Sequence, residues 1–457
     1  MSAAVEAPRA ASALEVLRDP QTMRLRCAGI TAAAEQGRSA YFRVDREAIE
    51  PLALRLAASL RAAGSDPAGA GLGRLAGAGV QSRGAVDELL APLAPASKHL
   101  AAIDLVVLGT LLGTDPGPRW RYRERTGLDA LALPAQRHGS EDLLAMLDRS
   151  ASTARPAAAA AEPAAAGPQA VLGGQEGLAL AIRRGFKAGM FSADAADPLR
   201  VDAAALRQID AAALRALFQA SGDNPLAGLE GRAGLLARLG IALEAQAVRD
   251  GQPPRPAALL EFAHGGGTRQ RLPAAELLAQ VHQRFGSVWH TGGTVVGQRV
   301  GDCWPHRWAG AAAPEHYGAA RGASDGWVPL HGMALALTRA LVPPLAAAGV
   351  QVHGLEVLPG LADAPHGTLL IAAGVIAPRA PLDLARRWKV GDEIVVEWRA
   401  LTVTLLDALA LRVAALVDDL PHGQAPLELV DAAMEGSVAS KAERTATVQV
   451  DGDGCVL

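Results

Sequence analysis

Cysteine is scarce in this chain of 457 residues: Cys27, Cys303 and Cys455 stand far apart, with no Cys-x-x-Cys spacing. That excludes a disulfide framework and a cysteine zinc site, and it fits a reducing compartment. Long runs of basic residues are also missing, and the net charge is -3. No electrostatic reason remains to expect a nucleic acid or an anionic membrane as partner, which leaves a small molecule. Uncharged apolar runs of about 20 residues, the length needed to cross a bilayer, are absent too. The most apolar stretches carry charge, Asp104 within Leu100–Thr114 and Asp407 with Arg412 within Leu401–Val417, so both are expected to be core helices. Met1–Ser12 is Ala-rich, holds Glu6 and Arg9 and has no apolar centre, so a cytoplasmic location is expected rather than secretion.

Familiar catalytic signatures are lacking as well. There is no phosphate loop of the Gly-x-x-x-x-Gly-Lys-Ser/Thr type, no His-Glu-x-x-His and no Gly-x-Ser-x-Gly. Gly265-Gly266-Gly267 and Gly292-Gly293 lack a strand-loop-helix context and are expected to be turns. His282, His290, His306, His316 and His331 crowd one stretch, yet their spacing matches no ligand motif, so neither a metal nor another cofactor is expected. Cys303, with Asp302 beside it and His306 nearby, has the elements of a thiolate nucleophile, but a buried structural thiol is the plainer reading.

Half of the residues are hydrophobic and 20% are charged, enough to bury a real core. Ala and Leu recur at steps of three and four in Arg46–Ala63, Glu176–Gly189, Ala203–Ala220, Leu226–Ala247, Ala274–Phe285, Met333–Ala348 and Leu401–Val417. Asp202 and Asp210 each precede an Ala-rich turn and predict two consecutive capped helices. Strand-like segments are Val350–Val357, Thr368–Ile376 and Glu393–Glu397. The expected fold is mainly α, a multi-helix globular fold with a small β-sheet in the C-terminal third. Its parts are a helical region over 1–150, an Ala/Pro-rich loop or linker over 151–170 and a helical core with the sheet over 171–457. Ala309–Asp325, rich in Gly and Ala, lies between Trp304 and Trp327 and could act as a lid if those flanks line a pocket.

Several rarer phrases follow one another along the chain. They are Tyr41-Phe42-Arg43-Val44-Asp45, Gly117-Pro118-Arg119-Trp120-Arg121-Tyr122, Gly189-Met190-Phe191-Ser192, Gly228-Leu229-Glu230-Gly231-Arg232, Gly301-Asp302-Cys303-Trp304 and Val396-Glu397-Trp398-Arg399-Ala400. In this order they resemble the uracil-catabolism protein four family of fungi and bacteria, long carried as a domain of unknown function. The resemblance implies a role in pyrimidine breakdown, on a route where uracil becomes a nucleotide, its ring opens and urea emerges. Over the last half, Gly301-Asp302, Leu358-Pro359-Gly360-Leu361-Ala362-Asp363 and Glu397-Trp398-Arg399-Ala400 are distantly similar to the queuosine 5′-phosphate N-glycosylase family. That second resemblance implies a hydrolase acting on an N-glycosidic bond, and a helical core of the DNA-glycosylase kind as one form of the fold.

Glycosidic cleavage needs a carboxylate where positive charge grows at the anomeric carbon, and a group that positions or deprotonates water. The resemblance assigns these two roles to Asp302 and Asp363. Arg399 or Arg232 would hold a 5′-phosphate, Trp289, Trp304 and Trp327 would wall the pocket, and His331 and Glu397 complete the expected substrate contacts. Each has a structural reading beside the chemical one: a helix cap for Asp302, a turn for Asp363, an ion pair for Glu397 with Arg399, core positions for the tryptophans. The chain departs from its relatives at Leu330-His331-Gly332-Met333-Ala334-Leu335, which lacks a Lys and a Gln, and at Ala364-Pro365, which stand for Tyr-Arg. The expected substrate is a nucleotide-derived small molecule such as ribosylurea phosphate; an amidohydrolase acting on the opened ring and a non-catalytic binding or scaffold protein are the alternatives. The oligomeric state is not legible.

Overall fold

The computed structural model describes residues 12–63, 80–117, 119–123, 171–250, 255–260, 271–289, 292–379, 382–384, 386–417, 426–436 and 447–451. The Ala/Pro-rich segment 151–170, Gly265-Gly266-Gly267 and His290 lie outside them.

Helix starts follow capping chemistry. Helix α1 (Ala13–Arg18) opens on a capping box in which Ser12 and Glu15 satisfy each other's backbone N–H groups. Asp19 caps α2 (Pro20–Glu35), whose first residue is a proline with no N–H to lose. Past α3 (Ile49–Ala63) and a helix over Val80–Leu90 comes α4 (Pro95–Leu112), which contains Asp104 as expected of a core helix. Helix α5 (Gly174–Lys187) is followed by α6 (Ala203–Leu206) and α7 (Ala211–Leu217). Asp202 and Asp210 are the N-caps of these two, accepting from Ala205 N at 2.9 Å and Ala213 N at 2.8 Å. Helices α8 (Leu229–Asp250) and α9 (Ala274–Phe285) complete the middle of the chain.

The C-terminal part carries α10 (Gly332–Ala340), α11 (Ala364–Ala372), α12 (Glu393–Leu416) and α13 (Pro426–Gly436). Two of the strand-like segments are helical. Glu393–Glu397 is the first turn of α12, whose Ile394, Val395 and Val396 are all buried. A helix enclosed on every side shows no polar face, so its β-branched residues read as a strand while serving as packing groups. Most of Thr368–Ile376 belongs to α11, which Asp363 caps and which ends before Gly374, at φ +77°. Within Val350–Val357 only Gln351–His353 is a strand, pairing in parallel with Arg271–Pro273.

Among the described residues sheet structure is limited to pairs of short strands, and the fold is mainly α. Strand β1 (Phe42–Val44) runs antiparallel to Ile376–Pro378, tying the N-terminal region to the C-terminal one. Strands β2 (Cys303–Pro305) and β3 (Trp327–Pro329) pair antiparallel, Trp304 opposite Val328. One hydrophobic cluster extends from Met23 to Val448, and α12 is its axis, with α2, α3, α11 and α13 packed around it. No helix among the described residues is long and apolar enough to cross a membrane.

Candidate active site

Asp302 stands just before β2 and Arg399 lies on α12. Their side chains meet in a fork, Arg399 Nη1 donating to Asp302 Oδ1 at 2.8 Å and Nη2 to Oδ2 at 2.6 Å. Trp304 Nε1 adds a bond to Oδ1 at 2.7 Å, and the Gly332 amide, at the start of α10, adds one to Oδ2 at 3.0 Å. Burial alone would push the Asp302 carboxyl up, but Arg399, the indole and the amide more than offset it and hold it down at about 2. With 6% exposure and every partner a donor, Asp302 is a fixed anion. Arg399 therefore pairs with Asp302, whereas the sequence suggested Glu397.

Arg399 reaches a second element. Its Nε donates to the carbonyl of Ala362 at 3.2 Å, next to Asp363. The preceding segment is held in the same manner: Arg24 donates to the carbonyls of Glu356, Val357 and Leu358, and Arg339 to those of Leu358 and Pro359. Asp407 accepts the Gly360 amide at 2.8 Å and pairs with Arg24 at 2.9 Å. Three arginines thus fix the backbone that presents Asp363.

Asp363 is a helix cap rather than a loop turn, since its Oδ1 accepts the backbone N–H of His366 at 3.0 Å. The same oxygen accepts from His366 Nδ1 at 2.7 Å, while His366 Nε2 donates to Asp431 Oδ1 at 3.0 Å. Burial favours a neutral ring, but carboxylates at both nitrogens outweigh it and raise the His366 pKa to about 10. His366 is thus an imidazolium, and the Asp363 side chain keeps 28% of its surface open.

His331 is near Asp302 through its backbone, whose N–H donates to the Asp302 carbonyl at 3.2 Å. Its ring turns away: Nε2 donates to the Leu17 carbonyl at 2.8 Å, and burial holds its pKa down at about 4. Cys303 donates its S–H to the Val300 carbonyl at 3.1 Å, and burial, with Asp302 beside it, pushes the thiol well up. It is a structural thiol.

Glu397 accepts a hydrogen bond from Ser39 Oγ and faces His306, Nε2 to Oε2 3.6 Å. Trp304 and Trp327 flank Gly292 and Gly293, which are not the expected turn: their backbone bonds to Gly301 and Val300 along a hairpin, and an added Cβ would stand 3.0 Å from the first indole and 2.7 Å from the second. Trp289 stacks on Phe285 at 6.1 Å, within the main core. Arg232, fully buried, donates to the carbonyls of Leu112, Thr114 and Asp115 at the end of α4. These bonds satisfy a helix C-terminus, and none joins Arg232 to the Asp302 group. Ala309–Asp325 is anchored through Arg26, which donates to Ala312 O and to the Ser324 backbone and hydroxyl, and through Tyr317, which donates to Asp19 at 2.9 Å.

Ser39, His306, His366, Asp431, Arg24 and Arg339 join the expected residues. Three had a local signal: His306 in the histidine-rich stretch, His366 at a helical i+3 step from Asp363, and Asp431 as a charge inside the apolar Leu429-Val430-Asp431-Ala432-Ala433. Among the described residues no group of three His, Cys, Asp or Glu side chains could hold a metal ion.

Comparison with known proteins adds a family. Protein urg3 of Schizosaccharomyces pombe is 30% identical over 239 residues, covering 52% of this chain and 54% of its own length. Uracil catabolism protein 4 of Lachancea kluyveri is 29% identical over 257 residues, 51% of this chain and 57% of its own. The aligned part thus spans little more than half the length of these relatives. The family described as "Protein of unknown function (DUF1688)" matches residues 158–453, well over half of the sequence and the region that holds Asp302, Asp363, Glu397 and Arg399. The chain belongs to that family.

Proposed function

We propose that the protein acts in uracil catabolism by hydrolysing the N-glycosidic bond of a ribose-phosphate intermediate such as ribosylurea phosphate. The observation that supports this best is Asp363: a part-open carboxylate, held at a helix N-terminus by a buried imidazolium, on a backbone that Arg399 and Asp302 fix. An anion held in place costs no reorganisation when positive charge grows at the anomeric carbon. In this reading Asp363 faces the reacting centre. Asp302, whose oxygens are taken up by Arg399, Trp304 and Gly332, is a positioning residue acting through Arg399. The relatives' names supply the pathway, the distant resemblance to an N-glycosylase family implies the reaction, and the setting of Asp363 suits it.

The test is direct. Purified protein is incubated with ribosylurea 5′-phosphate and with uridine 5′-phosphate, and the products are weighed by mass spectrometry. Release of ribose 5-phosphate is expected, and Asp363→Asn, which keeps the cap but removes the charge, should lower turnover by about 100-fold or more. Full turnover in that variant would remove Asp363 from the reaction. Ammonia released with the sugar bond intact would make the protein an amidohydrolase, and binding without turnover a non-catalytic member of its family.

A further inference from the structure

The proposed reaction gives no task to a second buried polar group, at the other end of β2. His306 is 4% exposed and Glu397 2%. His306 Nδ1 accepts the backbone N–H of Trp308 at 3.2 Å, so the proton of the neutral ring sits on Nε2. That N–H has no hydrogen-bond partner among the described residues and lies 3.6 Å from Glu397 Oε2. The other carboxylate oxygen is occupied. Ser39 Oγ accepts the amides of Tyr41 and Phe42 at 3.0 and 2.9 Å, so its own proton goes to Glu397 Oε1.

A donor and an acceptor therefore stand side by side, both buried, the donor unsatisfied. Their spacing complements a –NH–C(=O)– edge, whose carbonyl would accept from His306 and whose N–H would donate to Glu397. Three residues, Cys303–Pro305 of β2, lie between Asp302 and His306, so one strand carries a residue of each group. Glu397 and Arg399, two residues apart on α12, serve one group each.

We infer that His306 and Glu397 form the subsite for the ureido or amide edge of the substrate. The inference rests on the glycosidase reading and adds the residues that recognise the nitrogenous end of that substrate. Ser39 orients the carboxylate, and this fixes what a variant must do: in Glu397→Gln the amide oxygen keeps the Ser39 bond, and its NH2 then faces the N–H of His306. Donor meets donor, and the ureido edge loses its acceptor.

Isothermal titration of the full chain carrying Asp363→Asn, which slows turnover of the titrant, tests this with ribosylurea 5′-phosphate and with ribose 5-phosphate, which lacks the edge. That protein should bind the first at least ten-fold more tightly, and adding Glu397→Gln should abolish the preference while keeping the affinity for ribose 5-phosphate. If the double variant does not fold, His306→Leu in place of Glu397→Gln, which removes the donor and keeps the core filled, should abolish the same preference. Equal affinity for both compounds without the Glu397 change, or an equal loss for both with it, overturns the subsite and leaves the glycosidase reading standing wherever the unaltered protein turns over. Retained preference after the Glu397 change also overturns it, with a trapped water as the partner of His306. Failure to bind either compound, together with no turnover by the unaltered protein, overturns both.

Discussion

His366 carries a positive charge in a place where burial alone would forbid it, because Asp363 and Asp431 flank its ring. Its pKa is raised from an ordinary 6.5 to about 10, so the folded state holds this proton more tightly than the unfolded chain. The stabilisation is complete below the unfolded value and is lost as pH rises through about 10. Thermal unfolding followed by circular dichroism should show a midpoint that falls between pH 7 and 10. His366→Gln should melt lower at pH 7 and show a flatter dependence over that window; parallel curves would mean that the imidazolium does not matter to the fold. Residues of this kind explain how much of the site the sequence revealed. Asp302, Asp363 and Arg399 sit in phrases that can be compared with a family. Ser39 and Arg24 meet the groups they hold only through tertiary packing, and nothing in their local sequence announces it.

Helices were legible where a cap and a one-sided apolar pattern agreed, as at Asp202 and Asp210. They were misread where the surroundings are apolar all round, as in the first turn of α12. The contact between α11 and α12 is another feature that no pattern announces. Gly367 lies on α11, and a Cβ there would stand 2.4 Å from the indole of Trp398, which is fully buried on α12. Two effects compete in Gly367→Ala. Helix propensity favours alanine by about 1 kcal/mol, while overpacking against a ring that cannot retreat costs about 1–3 kcal/mol. Overpacking should win, so the variant is expected to lose net stability in urea unfolding. A gain would mean that the helices separate more easily than their packing suggests. The same shift would disturb Asp363, one turn away at the cap of α11.

Domain organisation is the question at the scale of the whole molecule. Composition suggested a division between a helical region over 1–150 and a core over 171–457, with an Ala/Pro-rich segment between them, and the family match starts at residue 158. The packing runs across it. Helices α2 and α3 lie along α12, and β1 pairs with Ile376–Pro378. Arg24 and Ser39, both before residue 64, hold the backbone leading to Asp363 and the carboxylate of Glu397. A chain beginning at residue 158 would uncover the parts of α12 against which α2 and α3 pack, on a helix whose Leu405, Leu409 and Val413 are all buried. Burying an apolar side chain is worth about 1.5–3 kcal/mol, so losing several is comparable with the roughly 5–15 kcal/mol by which a domain is stable. The truncated chain should therefore unfold without a cooperative transition and expose apolar surface to a hydrophobic dye. Adding a separately expressed 1–150 fragment should restore a sharp transition, because the missing helices supply the surface that α12 needs. A cooperative melt of the truncated chain by itself would show instead that the region matched by the family is an independent domain, and that the N-terminal helices are an added layer.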